Sequence, residues 1–357
     1  AGHRRVISER DTPRGHRNAE SAPGVSDMTK STSDKRPLPA RRRWGLEVAI
    51  GLIVLLAVGP YAVSRVRSPG RRVLVFGTDE RAATADADPG TIRIVTYNIA
   101  HGRGATDDNW QQPGAEKRDR IAAIAEFLAE TGADIVVLNE VDFDATWSGH
   151  QNQAAALAAA GGFPYRVEQR NIDFRFLYGS WKFGNAILCK FPIVDAQVVE
   201  LPPHSAWEDW LAGRKRAVVA TLKLPGDRRV RVLAAHLEHR REINRVRGAQ
   251  RIVDVTRASE IPLIAAGDLN SSPPGFPGAK TTAEGANAMT VLDESQLFQR
   301  RPPNGPGPAN MTYSSTDPKQ VIDWILIPSD WTFEDYEVLA GELSDHRAVL
   351  ATVRLAP

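Results

Sequence analysis

Gly267-Asp268-Leu269-Asn270-Ser271-Ser272-Pro273-Pro274 follows the apolar run Leu263-Ile264-Ala265-Ala266. A short apolar run closed by turn-forming residues reads as a buried strand. The octet then sets a carboxylate and an amide two positions apart, so Asp268 and Asn270 project the same way if the extended backbone continues. Taken alone, the octet has a competing reading as an Asx-rich turn entering a Pro-rich loop. Its weight comes from the same arrangement recurring along the chain.

Working outward, Thr91-Ile-Arg-Ile-Val-Thr-Tyr97 alternates like a strand and ends on Asn98. Asp134-Ile-Val-Val-Leu138 reads as a continuously buried strand and delivers Glu140, and Val230 to Ala235 delivers His236. Asp323 lies inside the run Val321 to Ile327, and Asp345-His346 precede Ala348 to Val353. Further strands are expected at Asn185 to Leu188 and Ala217 to Leu224. Ile121, Ile124, Ala125 and Leu128 share one face of a helix over Arg118 to Ala129, and a second helix is expected over Ile243 to Ser259. Polar groups gathered at one rim of a sheet are costly to bury unless a metal or hydrogen bonds satisfy them.

Carboxylate and amide oxygens with few histidines suit a hard divalent cation, Mg²⁺ or Mn²⁺, in preference to zinc. Glu140 is the first candidate ligand, helped by Asn98 and Asp345. Alone, Glu140 reads equally as a surface glutamate and Asn98 as a turn residue. His236, in His236-Leu237-Glu238-His239, and His346 supply imidazoles, the side chains best matched to proton transfer near neutrality. Cys189 is the only cysteine and sits in an apolar run, which excludes an intramolecular disulfide and a cysteine cluster and argues against thiol catalysis.

These segments resemble the endonuclease/exonuclease/phosphatase superfamily, which has the fold of pancreatic deoxyribonuclease. The matching stretches are Thr96-Tyr97-Asn98-Ile99, Leu138-Asn139-Glu140-Val141, Gly184-Asn185-Ala186-Ile187-Leu188, Ala235-His236-Leu237, Gly267-Asp268-Leu269-Asn270, Ile322-Asp323-Trp324-Ile325 and Ser344-Asp345-His346. They stand in the family's order. The resemblance implies an α/β fold: a four-layer α/β sandwich, two mixed β-sheets packed face to face with helices outside. It implies that Glu140, with Asn98, holds the catalytic metal, and that Asp323 orients His346 as general base or phosphate-binding imidazolium. Asp268 would orient or deprotonate the attacking water; Asn270 and His236 would bind non-bridging oxygens, with His236 a candidate acid for the leaving group. Two positions depart from the pattern: Asn139 replaces a frequent Gln, and Arg347-Ala348 replaces a frequent Pro. His101-Gly102-Arg103-Gly104, and His239 with Arg247 and Gln250, look like the extracellular or membrane-associated subgroup.

The net charge of +2 conceals a split: residues 1–84 carry 16 Lys/Arg against 8 Asp/Glu, and the remainder 29 against 35. An acidic catalytic part argues against a broad nucleic-acid grip, so a nucleic-acid partner is not favoured. Residues 1–43 read as a disordered basic segment, 44–64 as a transmembrane anchor or signal-peptide region, 65–90 as a linker, and 91–357 as the catalytic domain. Basic residues upstream of the apolar run, Arg41 to Arg43 among them, place the domain outside the cytoplasm, anchored in a membrane or secreted. The expected molecule is a monomeric phosphoesterase acting on a lipid headgroup or small phosphoester. A secreted nuclease and an inactive binding module are the competing readings. Substrate-selecting loops are expected at His101 to Glu116, Asp142 to Phe183 and Pro202 to Arg216, with Trp147, Phe174, Phe176, Tyr178, Trp181, Trp207 and Trp210 stacking on substrate, meeting lipid or packing the loop bases. Arg214, Lys215 and Arg216 are candidate phosphate contacts or a solvated face.

Overall fold

The computed structural model describes residues 40–67, 73–77, 90–176, 179–202 and 215–357. Tyr178, Trp207, Trp210 and Arg214, and the segment 1–39, lie outside the described residues. Two sheets carry the fold. The seven-stranded sheet holds, in chain order, β1 (Val73–Phe76), β2 (Thr91–Asn98), β3 (Ile135–Ala145), β4 (Tyr165–Phe176), β5 (Gly179–Cys189), β12 (Thr332–Leu339) and β13 (Ala348–Arg354). The six-stranded sheet holds β6 (Ile193–Glu200), β7 (Arg216–Lys223), β8 (Arg229–His236), β9 (Leu263–Asp268), β10 (Phe298–Arg300) and β11 (Asp323–Pro328).

Both sheets are mixed, because one crossover helix in each makes one parallel pair. The helix Gly114–Glu130 carries the chain from β2 to a parallel β3, and Glu242–Arg257 carries it from β8 to a parallel β9. All other pairs are antiparallel. The strand period of two sends alternate residues to opposite faces. Ile92, Ile94, Ile135 and Val137 therefore meet Val232, Ile264 and Ile325 between the sheets. Val95, Val136 and Leu138 face outward onto Ile121, Ile124 and Leu128 of the first crossover helix. Leu233, Leu263 and Ala265 face outward onto Ile252 and Val253 of the second, and onto Met289 and Leu292 of the helix Ala288–Glu294. Helix, sheet, sheet, helix is the four-layer sandwich. Cys189 lies in the central layer, fully buried, and burial pushes its thiol up to about 12.

Two segments differ from the sequence reading. Asp142 to Phe183, expected as a loop, holds the end of β3, the helix Gln153–Ala160, β4 and the start of β5. Glu168 and Gln169 on β4 are fully buried polar residues, so the strand lacks the alternation that marks one. Within 65–90, expected as a linker, β1 pairs antiparallel with β4, Val73 opposite Gln169 and Phe76 opposite Arg166. The N-terminal helix Ala40–Arg67 contains a 19-residue stretch, Trp44–Ala62, of mean hydropathy 1.9, long and apolar enough to cross a membrane.

Candidate active site

Register decides which side chains meet. In the six-stranded sheet His236 at the end of β8 pairs with Asp268 at the end of β9, and Asp268 pairs with Asp323 at the start of β11. In the seven-stranded sheet Asn98 at the end of β2 pairs with Asn139 of β3, one residue before Glu140. Ser344, whose hydroxyl donates to the Asn98 carbonyl at 2.7 Å, pins Asp345 and His346 beside that rim. The structure thus brings together Glu140, His236, Asp268, Asn270, Asp345 and His346 along one pocket of about 640 Å³, with Asp323 and Asn98 in contact from behind.

Asp268 is the hub. Its Oδ1 accepts the Asn270 amide at 2.9 Å, and its Oδ2 accepts Asn98 Nδ2 at 3.1 Å, with His236 Nε2 at 3.4 Å and His346 Nε2 at 3.8 Å. Its own amide donates to Asn139 Oδ1 at 2.8 Å. Asn139 also donates to Asn185 Oδ1 at 2.8 Å, and Asn185 donates to Gln169 Oε1 and the Arg216 carbonyl, both at 2.8 Å. This buried amide chain joins both sheets behind the site, and it is what the Asn139 departure achieves: the shorter amide still reaches across to Asp268. His346 sets Nδ1 at 2.9 and 3.1 Å from the two oxygens of fully buried Asp323, so Nδ1 carries a proton and Nε2 turns to Asp268. Asp268, Asp323 and His346 offer ligand-type atoms all within 4.8 Å of one another. Asn270 turns back through a left-handed φ of 51°, its side-chain amide donating to the Leu237 carbonyl at 3.1 Å.

The charges follow from burial. Burial pushes Asp268 up to about 7, with Asp323 and Glu140 adding to the rise against the pull of His346. Burial lowers His346, but the surrounding charges of Asp323, Asp268 and Asp345 prevail and lift it to about 10. His236 goes the other way: burial first, then Lys215, His346 and His239, outweigh Glu140 and keep the imidazole neutral. Glu140 is raised by burial, yet its electrostatic interactions with His101, His236, Arg103 and His346 hold it well below the usual carboxylate range. Asp345 is raised, chiefly by burial.

Three further residues, His101, Arg103 and Tyr313, enter that sequence reasoning did not assign to the site. His101 is buried, with Nδ1 at 2.7 Å from Asp142 Oδ1 and Nε2 at 3.5 Å from Glu140 Oε2. Trp147 donates its indole N–H to Asp142 at 2.8 Å and, with Phe183, packs edge-on to the His101 ring. Arg103 donates to both Glu140 and Asp345. Tyr313 sets its ring centroid 4.8 Å from that of His346. The His101-Gly102-Arg103-Gly104 run was the available signal for the first two; Tyr313 had none. Of the aromatics expected in the loops, Trp147 packs against Phe183, and Phe174 stacks on Trp181 with ring centroids 5.6 Å apart. Lys215 and His239 line the pocket, whereas Arg216 is buried against Glu200, Arg247 is exposed, and Gln250 bonds Asp254 on its own helix.

A family model described as Endonuclease/Exonuclease/phosphatase family matches residues 95–346, a span that contains the whole cluster from Asn98 to His346. The chain belongs to that family. Members of the endonuclease/exonuclease/phosphatase family act as phosphoesterases or nucleases, usually with a divalent metal. Solved structures share the fold. A family protein from Beutenbergia cavernae aligns at a TM-score of 0.57 and 20% identity, over 75% of this chain and 72% of that one. The human Nocturnin catalytic domain with bound sulfate aligns at 0.52 and 16%, over 81% and 99%. The mannosyl-6-phosphatase Bt3783 of Bacteroides thetaiotaomicron aligns at 0.52 and 16%, over 74% and 100%. A search of the curated proteins found no match.

Proposed function

We propose that this chain is a Mg²⁺- or Mn²⁺-dependent phosphoesterase that cleaves a phosphodiester or phosphomonoester, a lipid headgroup or small phosphoester, outside the cytoplasm. One observation carries the reading: Asn98, His236, Asp268, Asn270, Asp323 and His346, drawn from five separate segments, join in one hydrogen-bonded or ion-paired network beside Glu140 and Asp345. The donor set fits a hard divalent ion. Glu140 and Asp345 present partly exposed carboxylates to the pocket, 24% and 17% accessible, with no cysteine near. Asn98 completes the set as the third proposed ligand residue, and in this structure its Oδ1 caps the Ala100 amide at 3.1 Å. When bound, the ion supplies positive charge against the charge that builds on phosphoryl oxygens.

The chain's own groups do the rest. Asp268, pushed up to about 7, accepts a proton at neutral pH and lies where a water would be positioned for in-line attack. His346, charged and held by Asp323, binds a phosphoryl oxygen through Nε2–H. His236 is neutral, so it serves as an N–H donor to oxygen and not as the acid for the leaving group. Asn270 adds a second neutral donor from the same pocket. The mannosyl-6-phosphatase among the structural neighbours accords with small phosphoester chemistry on this fold. The helix Ala40–Arg67, preceded and entered by Arg41, Arg42 and Arg43, supports an anchor or export signal with the catalytic part on the outer side.

The test is a substrate panel with Mg²⁺ or Mn²⁺ and an EDTA control: sphingomyelin, phosphoinositides, bis-p-nitrophenyl phosphate and plasmid DNA. Metal-dependent release from a lipid or small ester is expected. Cleavage of DNA alone would move the chain to the nucleases, and silence on every substrate while metal still binds would make it a binding module.

A further inference from the structure

One guanidinium bridges the two carboxylates assigned above to the divalent ion. Arg103 Nη1 donates to Glu140 Oε2 at 3.1 Å, and Nη2 donates to Asp345 Oδ2 at 2.5 Å. The fork is not a loose surface side chain. Its Nε donates to the Thr106 carbonyl at 2.7 Å, and the Thr106 hydroxyl donates back to the Arg103 carbonyl at 2.9 Å. Both ends of this bracket lie within one short loop, so the loop alone aims the guanidinium. The side chain is 14% accessible, and it cannot shed its charge, because arginine stays protonated in proteins.

A cation fixed on Glu140 and Asp345 opposes a second cation on the same oxygens. We propose that Arg103 is an internal counter-cation of this site, competing with a hard divalent ion for Glu140 and Asp345 and so setting a weak affinity for it. The inference rests on the assignment of those two carboxylates as metal ligands. Its chemistry is charge against charge: the guanidinium already compensates one of the pair's two negative charges, and a divalent ion must displace it or bind beside it. A fixed positive charge on the same two oxygens repels an incoming cation and weakens its binding by at least about tenfold.

The experiment is titration of Mn²⁺ alone into the full chain in detergent, followed calorimetrically and by the electron paramagnetic resonance signal of free Mn²⁺. Arg103→Gln keeps length and polarity and removes the charge; it is expected to bind Mn²⁺ at least about tenfold more tightly than the wild type. Arg103→Lys, whose point charge cannot fork onto both carboxylates, shifts affinity the same way by less and decides the matter alone if Arg103→Gln does not fold. Equal or weaker Mn²⁺ binding in the folded variants, while Glu140→Gln still abolishes binding, overturns the counter-cation role and leaves the ligand assignment standing. Undiminished Mn²⁺ binding by Glu140→Gln removes the ligand assignment, and the counter-cation role with it.

Discussion

Asp268 and His346 stand 3.8 Å apart, and both are raised, Asp268 chiefly by burial and His346 by the surrounding carboxylates against burial. Replacing Asp268 with Asn keeps the size and removes the proton acceptor. Turnover is expected to fall by about 10³-fold, the contribution of a positioned base, with an unchanged circular dichroism spectrum. Residual turnover within tenfold of wild type would take the base role from Asp268. His346 carries a separate prediction about stability. Burial lowers its affinity for a proton, but Asp323, Asp268 and Asp345 together raise it from 6.5 to about 10 in the folded chain. The folded state therefore holds a proton that the unfolded state releases above about 6.5. The stabilisation is fully present below that pH and is lost as pH rises toward about 10. Urea unfolding of the metal-free protein in EDTA should show stability declining from pH 7 to pH 10. His346→Gln should flatten that decline, whatever its effect on the absolute level. A wild-type slope that survives in His346→Gln would assign the titration elsewhere.

At the level of strands, β8 and β9 meet most tightly where the chemistry is. Gly267, paired with Ala235, has a φ of +139°, and a Cβ there would lie 1.9 Å from the Ala235 carbonyl oxygen and 2.9 Å from Asn139 Oδ1. A methyl group would push β8 from β9 beside His236 and break the Asn139 bond to the Asp268 amide. Gly267→Ala is expected to cost about 3 kcal/mol in urea unfolding and to reduce turnover with it. A fully stable, fully active variant would show that the pair relaxes freely. The same tight pairing explains what sequence reveals. β9 is buried throughout, and β3 and β8 are buried over residues 135–138 and 232–235, so each offers an apolar run, and the first polar residue after each run lies at the site. β6 and β12 end their sheets and alternate toward solvent with residues such as Asp195, Gln197, Glu334 and Glu337, which hides them. β4 hides for the opposite reason: Glu168 is buried because Arg166 on the same strand and Asn152, 16 residues upstream, bond it, and the Asn152 contact is not local to the strand. The same reason conceals the His101 and Asp142 pair, 41 residues apart, and the Arg103 bridge to Asp345, 242 apart. Only a resemblance to known proteins could group Asn98, Glu140, Asp323 and His346 in advance; no periodicity links them.

Across the whole molecule, the site straddles the seam between two sheets: Asn98, Glu140, Asp345 and His346 come with the seven-stranded sheet, and His236, Asp268 and Asp323 with the six-stranded one. Its geometry therefore depends on how firmly the inner faces pack, and on what closes the sheet edges. β1 is one such closure. Val73 packs on the central core, Phe76 stacks beneath the Arg166 guanidinium at 3.7 Å, and the strand covers the open edge of β4. A catalytic domain drawn from Thr91 leaves that edge bare; one drawn from Val73 keeps it. The two truncations are expected to differ in melting temperature by about 5 °C, the shift that roughly 1 to 2 kcal/mol produces in a domain of this size. The longer one should sediment as a single species, while the shorter self-associates as concentration rises, because an unpaired strand edge templates pairing with another chain. Turnover per folded molecule should be alike, since no site residue touches β1. Equal melting temperatures and equal sedimentation would mean that β1 adds nothing to the fold and that the domain begins at Thr91.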